Sequence, residues 1–386
     1  MEAKGKCASG FEAVQQAFEA IFDDPQERGA GVCVQVGGET VVDLWAGVAD
    51  LEGSKPWHHD TLVNTYCCIK PFTAIAALML VEEGKLELDQ TVAHYWPEFA
   101  QGGKQHITLR QVLCHTSGIP ALRLPSRTPI MYDWDAMADV VAAEPLWWEP
   151  GTDVGYGATT YGWIIGELIR RADGRDPCTF IRQRISEPNN LEVHMGVDAE
   201  HFHRIAFFER AEGRTGDNYA RDLRTVMVGE PEHVATLAFT NPAMGSRQTA
   251  DPRWWAYHQP GVNGHGTAHG LAGFYSALMG GRLVGPELLA EFTREHSNDM
   301  DRTLLRPMRY GLGCMMEQPA DPGASHRMGP KAFGHVGLGG PISFADPERD
   351  VSFGFVTTTL GSHVLMDPRV QKLAPLVYAA LSVPSL

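Results

Sequence analysis

The chain has 386 residues, 44% of them hydrophobic and 20% charged, with a formal net charge of -15. This composition excludes a disordered or fibrous protein and leaves room for one large or two smaller domains. The negative balance, with no Lys/Arg cluster carrying interleaved aromatics, argues against nucleic acid as a partner.

Met1 to Lys6 leads into an amphipathic pattern without the apolar core of a signal peptide, and no stretch reaches the length of a membrane span. A cytoplasmic protein with no membrane partner is the expectation. Cysteines at 7, 33, 67, 68, 114, 178 and 314 lack the spacing of a disulfide framework or a zinc site, so reduced thiols are expected. Phe11, Val14, Phe18 and Phe22 recur at helical spacing before the Asp-Asp-Pro break at 23–25. Val32–Val36 and Thr40–Trp45, separated by Gly37-Gly38-Glu39, predict a hairpin of a mainly antiparallel sheet.

After a β-like run from Leu62 to Tyr66, the segment from Phe72 to Val81 is apolar nearly all round, which predicts a helix buried between layers. From about 85 to 280 the pattern is mostly helical and loop-like, including a helix over Tyr161–Arg171 that ends at Ala172-Asp173-Gly174. Asn263 to Thr267 should cap a helix that starts near Ala268. Strand character returns at Ile342–Phe344 and Val351–Thr357, and an amphipathic helix over 369–381 closes the chain. There is no linker and no internal repeat.

Cys67 and Lys70 fall one helical turn apart where the β-like run meets the buried helix. A lysine desolvated beside a nucleophile can act as a general base, and a helix N-terminus favours a thiolate. An arbitrary Cys-x-x-Lys, however, is usually a small buried residue followed by a lysine that snorkels to water. Lone versions of the other signals are just as weak, since a Tyr in a Gly-rich loop is commonly packing and a single His is commonly structural. The His pairs at 58/59 and 201/203 lack partners at ligand spacing, Gly334–Gly340 lacks the end of a phosphate loop, and no G-x-S-x-G elbow exists.

Four segments in order supply the missing context. They are Thr65-Tyr66-Cys67-Cys68-Ile69-Lys70 with its following helix, Leu109-Arg110-Gln111-Val112-Leu113-Cys114-His115-Thr116-Ser117-Gly118, Glu149-Pro150-Gly151 through Tyr156 to Gly162, and Phe333-Gly334-His335-Val336-Gly337-Leu338-Gly339-Gly340. Together they resemble the serine β-lactamase and penicillin-binding-protein family, in particular class C β-lactamases, family VIII carboxylesterases and related acyltransferases.

The resemblance implies an α+β fold of the β-lactamase/transpeptidase type. An antiparallel sheet flanked by the terminal helices would come from about 1–65 and 280–386, and an all-helical lobe from about 66–280, all within a single domain. It implies Cys67 in the place of the nucleophilic serine, Lys70 and Tyr156 as proton-transfer groups, and His335 on the far wall. The backbone N–H groups of Cys67 and Leu338 would form the oxyanion hole, with Gly337 and Gly339 next to substrate. Apart from the resemblance, Trp147, Trp148, Trp254 and Trp255 lie in loop-like segments of the helical lobe and are candidates to line an apolar acyl or acceptor pocket, Trp148 above all. No metal and no cofactor is implied.

Two departures are visible: Cys67 is a thiol where the family has an alcohol, and Tyr156-Gly157-Ala158 stands for the family's Tyr-x-Asn. A thioester intermediate reacts readily with amines and slowly with water, so the sequence points to acyl transfer between a small-molecule donor and an amine or alcohol. The alternatives are a family VIII-type esterase or β-lactamase-like hydrolase, and a catalytically inactive penicillin-binding-like protein.

Overall fold

Gly37 and Gly38 lie at φ 58° and 82°, the left-handed values that a two-residue hairpin turn needs at both central positions. They join strands Gly29–Val36 and Glu39–Gly47, which pair from Gly29↔Gly47 to Val36↔Glu39. The computed structural model describes residues 1–123, 130–212, 218–243, 249–319, 325, 329–361 and 365–382, with 218–221 described by their backbone.

This hairpin is part of a nine-stranded antiparallel sheet. Its order is Lys4–Cys7, Glu39–Gly47, Gly29–Val36, Val351–Thr357, Ile342–Asp346, Phe333–Val336, Met315–Met316, Arg306–Tyr310 and Ser297–Asp301. Both ends of the chain therefore build one sheet, as expected. All seven residues of Val351–Thr357 are buried, because helices cover both faces of the sheet at this point. Alternate side chains serve two layers. Val32, Val34, Phe353 and Phe355 meet Val14 and Phe18 of helix Glu12–Ala20 and Val370, Leu373 and Val377 of helix Pro368–Leu381. Cys33 and Val356 face the other way, onto the cluster that contains helix Ala268–Met279. That helix approaches so closely that a Cβ at Gly354 would lie 2.2 Å from the Ala268 carbonyl oxygen.

Helix Lys70–Glu82 is buried at every position from Lys70 to Leu80, and Phe72 stacks on Phe274 at 3.8 Å between ring centroids. The predicted helix at Tyr161–Arg171 runs from Thr160 to Asp173 and stops at Gly174, at φ 88°. Thr267 caps helix Ala268–Met279 by accepting the Gly270 N–H at 2.9 Å. Among the described residues no helix is long and apolar enough to cross a membrane.

Three features differ from the sequence reading. Lys4–Cys7 is an edge strand on Val42–Trp45, where two lysines keep the exposed edge soluble. Strands Ser297–Asp301 and Arg306–Tyr310 precede the first expected return of strand character, and the first is polar with three exposed residues in its middle, so no alternation signals it. Strands Val193–His194 and His265–Gly266 also lie within the segment expected to be helical, and they join Val63–Asn64, which falls in the expected β-like run, in a small three-stranded sheet.

Arg369 ties the last helix to the sheet. Its guanidinium meets both carboxylate oxygens of Glu27 at 2.9 and 2.8 Å and Asp367 Oδ2 at 2.7 Å, and donates to the Thr359 carbonyl at 3.0 Å. The Glu27 and Asp367 side chains are 1% and 2% exposed. Arg369→Ala leaves two buried carboxylates without their cation and is expected to cost about 3–5 kcal/mol. A urea unfolding midpoint unchanged from wild type would contradict this.

Candidate functional site

The turn that carries Cys67 is held under backbone strain. Tyr66 adopts φ 48°, the left-handed region that a bulky side chain rarely enters. Asn64 Oδ1 accepts the Tyr66 N–H at 3.1 Å, Thr65 N–H donates to the Gly264 carbonyl at 2.7 Å, and the Tyr66 ring packs edge-on against Phe208. One turn of 3₁₀ helix, Tyr66–Ile69, then feeds the helix that begins at Lys70. Within 61–70 only Cys67 is not buried. Cys68 points into the core, where burial pushes its thiol up and Sγ approaches the His335 carbonyl at 3.6 Å.

Lys70 is fully buried, and its Nζ donates to the carbonyls of Ala158 at 2.8 Å and Gly261 at 2.7 Å. Burial pulls its pKa down, and the charge of a Cys67 thiolate and a hydrogen bond to it act in the opposite sense. A neutral amine has two N–H donors and one lone pair. With both donors committed to fixed carbonyls, the lone pair is left for Cys67. Gln259 keeps the two carbonyls in place: its Oε1 accepts the Gly261 N–H at 2.6 Å and its Nε2 donates to the Thr159 carbonyl at 3.1 Å.

The Tyr156 hydroxyl reaches Cys67 from the other side. Its pKa is raised well above the usual phenol value by burial, and next by Cys67. The ring lies under Lys70 Nζ, 4.9 Å from the centroid. Asp301 fixes the tyrosine through its main chain, since Oδ1 and Oδ2 accept the Tyr156 N–H at 3.2 and 3.0 Å. The same carboxylate accepts Tyr310 OH at 2.8 Å and Thr303 Oγ1 at 2.7 Å. His115, at φ 62°, fills the space behind. Its Nδ1 accepts the Gly157 N–H at 3.3 Å, and its ring lies 4.9 Å from Tyr156 and 4.8 Å from Tyr310.

The far wall is the end of strand Phe333–Val336. A Cβ at Gly337 would stand 2.3 Å from the Thr65 carbonyl oxygen, so only glycine lets this strand end abut the nucleophile turn. His335 is buried, with its ring 5.8 Å from that of Tyr156 and Nδ1 at 2.7 Å from the Val336 carbonyl. Leu338 is half-buried, and Gly339, at φ 80°, accepts the Gly361 N–H at 2.8 Å. Trp148 is half-buried, and a Cβ at Gly155 would clash with its ring at 2.5 Å. Cys67, Lys70, Tyr156 and His335 are thus brought together, with Gly337 against the turn and Trp148 on the Tyr156 loop.

The Beta-lactamase family profile matches residues 14–375 of the chain. The protein belongs to the beta-lactamase family. Among curated relatives, LipL of Mycobacterium tuberculosis, described as an esterase/beta-lactamase, is 31% identical over 374 residues, covering 92% of this chain and 83% of that protein. The crystal structure of a family VIII carboxylesterase superposes with a TM-score of 0.89 at 32% identity, covering 98% of this chain and all of the other. A penicillin-binding-protein homolog from Caulobacter crescentus gives 0.88 at 33% identity with the same 98% coverage of this chain. These similarities support an enzyme of the beta-lactamase-fold hydrolase and esterase group.

Sequence reasoning assigned no role to Asp301, Tyr310, Thr303, His115 or Gln259. Asp301 is 145 residues from Tyr156 in the chain, in a polar stretch that reads as an exposed loop. His115 lies inside a segment the beta-lactamase resemblance already contained, and its positive φ is what a helix ending at Leu113 imposes on the turn after it. Of the tryptophans considered as pocket lining, Trp254 is fully buried core, and Trp147 is held by Ala121 and covered by Arg123. Among the described residues, Asp176, Cys178 and His258 are the one group whose donor atoms lie within 4.8 Å of one another. Asp176 there caps helix Pro177–Ile181 and pairs with His258 at 2.7 Å, both structural duties.

Burial holds two imidazoles neutral: His115 is lowered well below its usual value, and His265, on the small sheet, is pulled down to about 3 by burial and next by His194. The unfolded chain takes up these protons near 6.5, so the stability they confer is complete above that pH and is lost as pH falls below it, for His265 through the window down to about 3. From pH 7 to 5 His265 should remove about 2 kcal/mol, and His115 acts in the same direction. Urea unfolding at the two pH values should show a loss smaller by that amount in His265→Phe; identical losses would show that His265 is charged in the folded protein.

Proposed function

We propose that the protein is an acyl-transfer enzyme that forms a covalent thioester on Cys67. The observation that carries this reading is the clamped Lys70 amine, whose two carbonyl acceptors leave its lone pair for the thiol. Neutral Lys70 takes the Cys67 proton, and the thiolate attacks the carbonyl carbon of an ester, thioester or amide donor. The backbone N–H groups of Cys67 and Leu338 receive the oxyanion, which the approach of Gly337 to Thr65 supports. As the tetrahedral adduct collapses, Tyr156 passes a proton to the leaving group and is reprotonated through Lys70. An amine or alcohol acceptor then gives its proton to the same pair while it attacks the thioester, and Cys67 is released as the thiol.

Hydrolysis of esters is the second reading, and the likeness to the family VIII carboxylesterase favours it. Water then takes the acceptor's place. The two readings share every step up to the acyl-enzyme and differ only in what discharges it.

Incubation with p-nitrophenyl butyrate, followed by intact mass, should show one butyryl group on Cys67 that a primary amine removes faster than water. Cys67→Ala should give no adduct, and Lys70→Ala should acylate about 10²–10⁴-fold more slowly. The acylation rate should rise with pH through a midpoint below the ordinary lysine value, because burial favours the neutral amine. Rapid discharge by water alone would select the esterase, and no adduct from any activated ester would leave the inactive penicillin-binding-like alternative.

A further inference from the structure

A second pocket lies beside the nucleophile turn, bounded by Asn64, Thr249, Phe207, Phe208, Trp255 and His265. Its floor is polar and its walls are aromatic. Asn64 and His265 are register partners on adjacent strands, so their side chains leave the small sheet on the same face. They are 3% and 0% exposed. Among the described residues, Asn64 Nδ2 and both ring nitrogens of His265 meet no hydrogen-bond partner. Because Asn64 Oδ1 accepts the Tyr66 N–H, the amide orientation is fixed and its NH₂ is what remains for the pocket. Buried polar atoms of this kind are rare unless a ligand or water completes them.

The chemistry of the occupant follows from the lining. Among the described residues no Asp, Glu, Lys or Arg lines the pocket, so a carboxylate or an ammonium would lose its water without meeting a counter-charge. The imidazole, held neutral, offers one donor and one acceptor, and the Asn64 amide offers donors. A hydroxyl answers both, accepting from Asn64 and donating to or accepting from the ring. Phe207 and Trp255 meet edge to face at 5.8 Å and give the apolar body of the ligand an aromatic surface.

We propose that this pocket is a substrate subsite for an uncharged aromatic or alkyl group that ends in a hydroxyl, held by Asn64 Nδ2 and the His265 imidazole. Its place in catalysis rests on the reading of Cys67 as nucleophile; its ligand preference does not. Asn64 precedes Cys67 by three residues, so their Cα atoms are no more than about 11 Å apart. The reacting carbonyl stays at Cys67, and the hydroxyl recognised is a distal one on the same substrate or on the acceptor. Since Asn64 also holds the Tyr66 N–H, occupation of the floor bears on the strained residue that presents the thiol.

Calorimetric titration of the full chain with benzyl alcohol, benzylamine and benzoate separates these ideas, because the three probes share a body and differ in charge. Benzyl alcohol should bind at least tenfold more tightly than either charged probe. His265→Leu should lose at least tenfold in benzyl alcohol affinity, and His265→Gln should restore most of it. Equal binding of the three probes to the wild type, or no binding of benzyl alcohol, overturns the proposal even where His265→Leu does not fold. Acylation by p-nitrophenyl acetate is followed in parallel. Selective alcohol binding without any Cys67 adduct would remove the nucleophile reading and leave the pocket, whereas an adduct without selectivity would do the reverse.

Discussion

Lys70 carries an amine buried away from water, and two main-chain carbonyls from separate loops hold it. Much of the surrounding structure makes that arrangement tolerable. An ammonium buried in an apolar helix start is costly, and donating to carbonyls lowers that cost without supplying a full counter-charge. The result is an amine whose proton is loosely held and whose direction is fixed. Gln259 binds the loops that carry the two carbonyls, so it sets the direction of the lone pair although it is remote from Cys67 in sequence. The contrast with Lys104 is instructive: its Nζ donates to the carbonyls of Gln101, Ala142 and Glu144, which uses all three donors and leaves nothing to offer a neighbour.

The tyrosine side of the site is organised by a different device. Asp301 gathers the Tyr156 N–H, the Tyr310 hydroxyl and the Thr303 hydroxyl around one buried carboxylate. It belongs to an outer strand of the sheet, whereas Tyr156 belongs to a loop before helix Thr160–Asp173. One carboxylate thereby locks the position of the helical region against the sheet at the place where the phenol must point. His115 completes the packing as a neutral ring among aromatic neighbours, and its low proton affinity keeps a second positive charge away from Lys70.

How much of this was legible in the sequence depended on the range of the interaction. The Gly37-Gly38 hairpin, the buried helix after Lys70, the Gly174 stop and the terminal helix were readable because each is dictated by neighbours within a few residues. The segments containing Cys67, Tyr156 and His335 were readable from their order, and the structure brings them together. Lys4–Cys7 and Ser297–Asp301 were not, because they are polar edge strands without apolar alternation, and neither was Arg306–Tyr310, one strand in from the edge, whose Arg306-Pro307 start does not read as a strand. Asp301, Gln259 and the Asn64–His265 floor were not readable either. Their roles depend on which distant main-chain groups they meet, and no local period encodes that.

The central ladder of the sheet pairs Gly29–Val36 with Val351–Thr357, and the Thr357 hydroxyl reaches a carbonyl 328 residues earlier. The first hairpin, although local and quick to form, therefore has an open edge until Val351–Thr357 has left the ribosome. Its apolar faces wait equally long for the terminal helix. A protein wired in this way has a high contact order, so the sheet closes late relative to its hairpin, which must stay soluble on its own until that distant strand arrives. The two lysines of the Lys4–Cys7 strand, laid along the opposite edge of that hairpin, protect that edge while the other still waits for its partner.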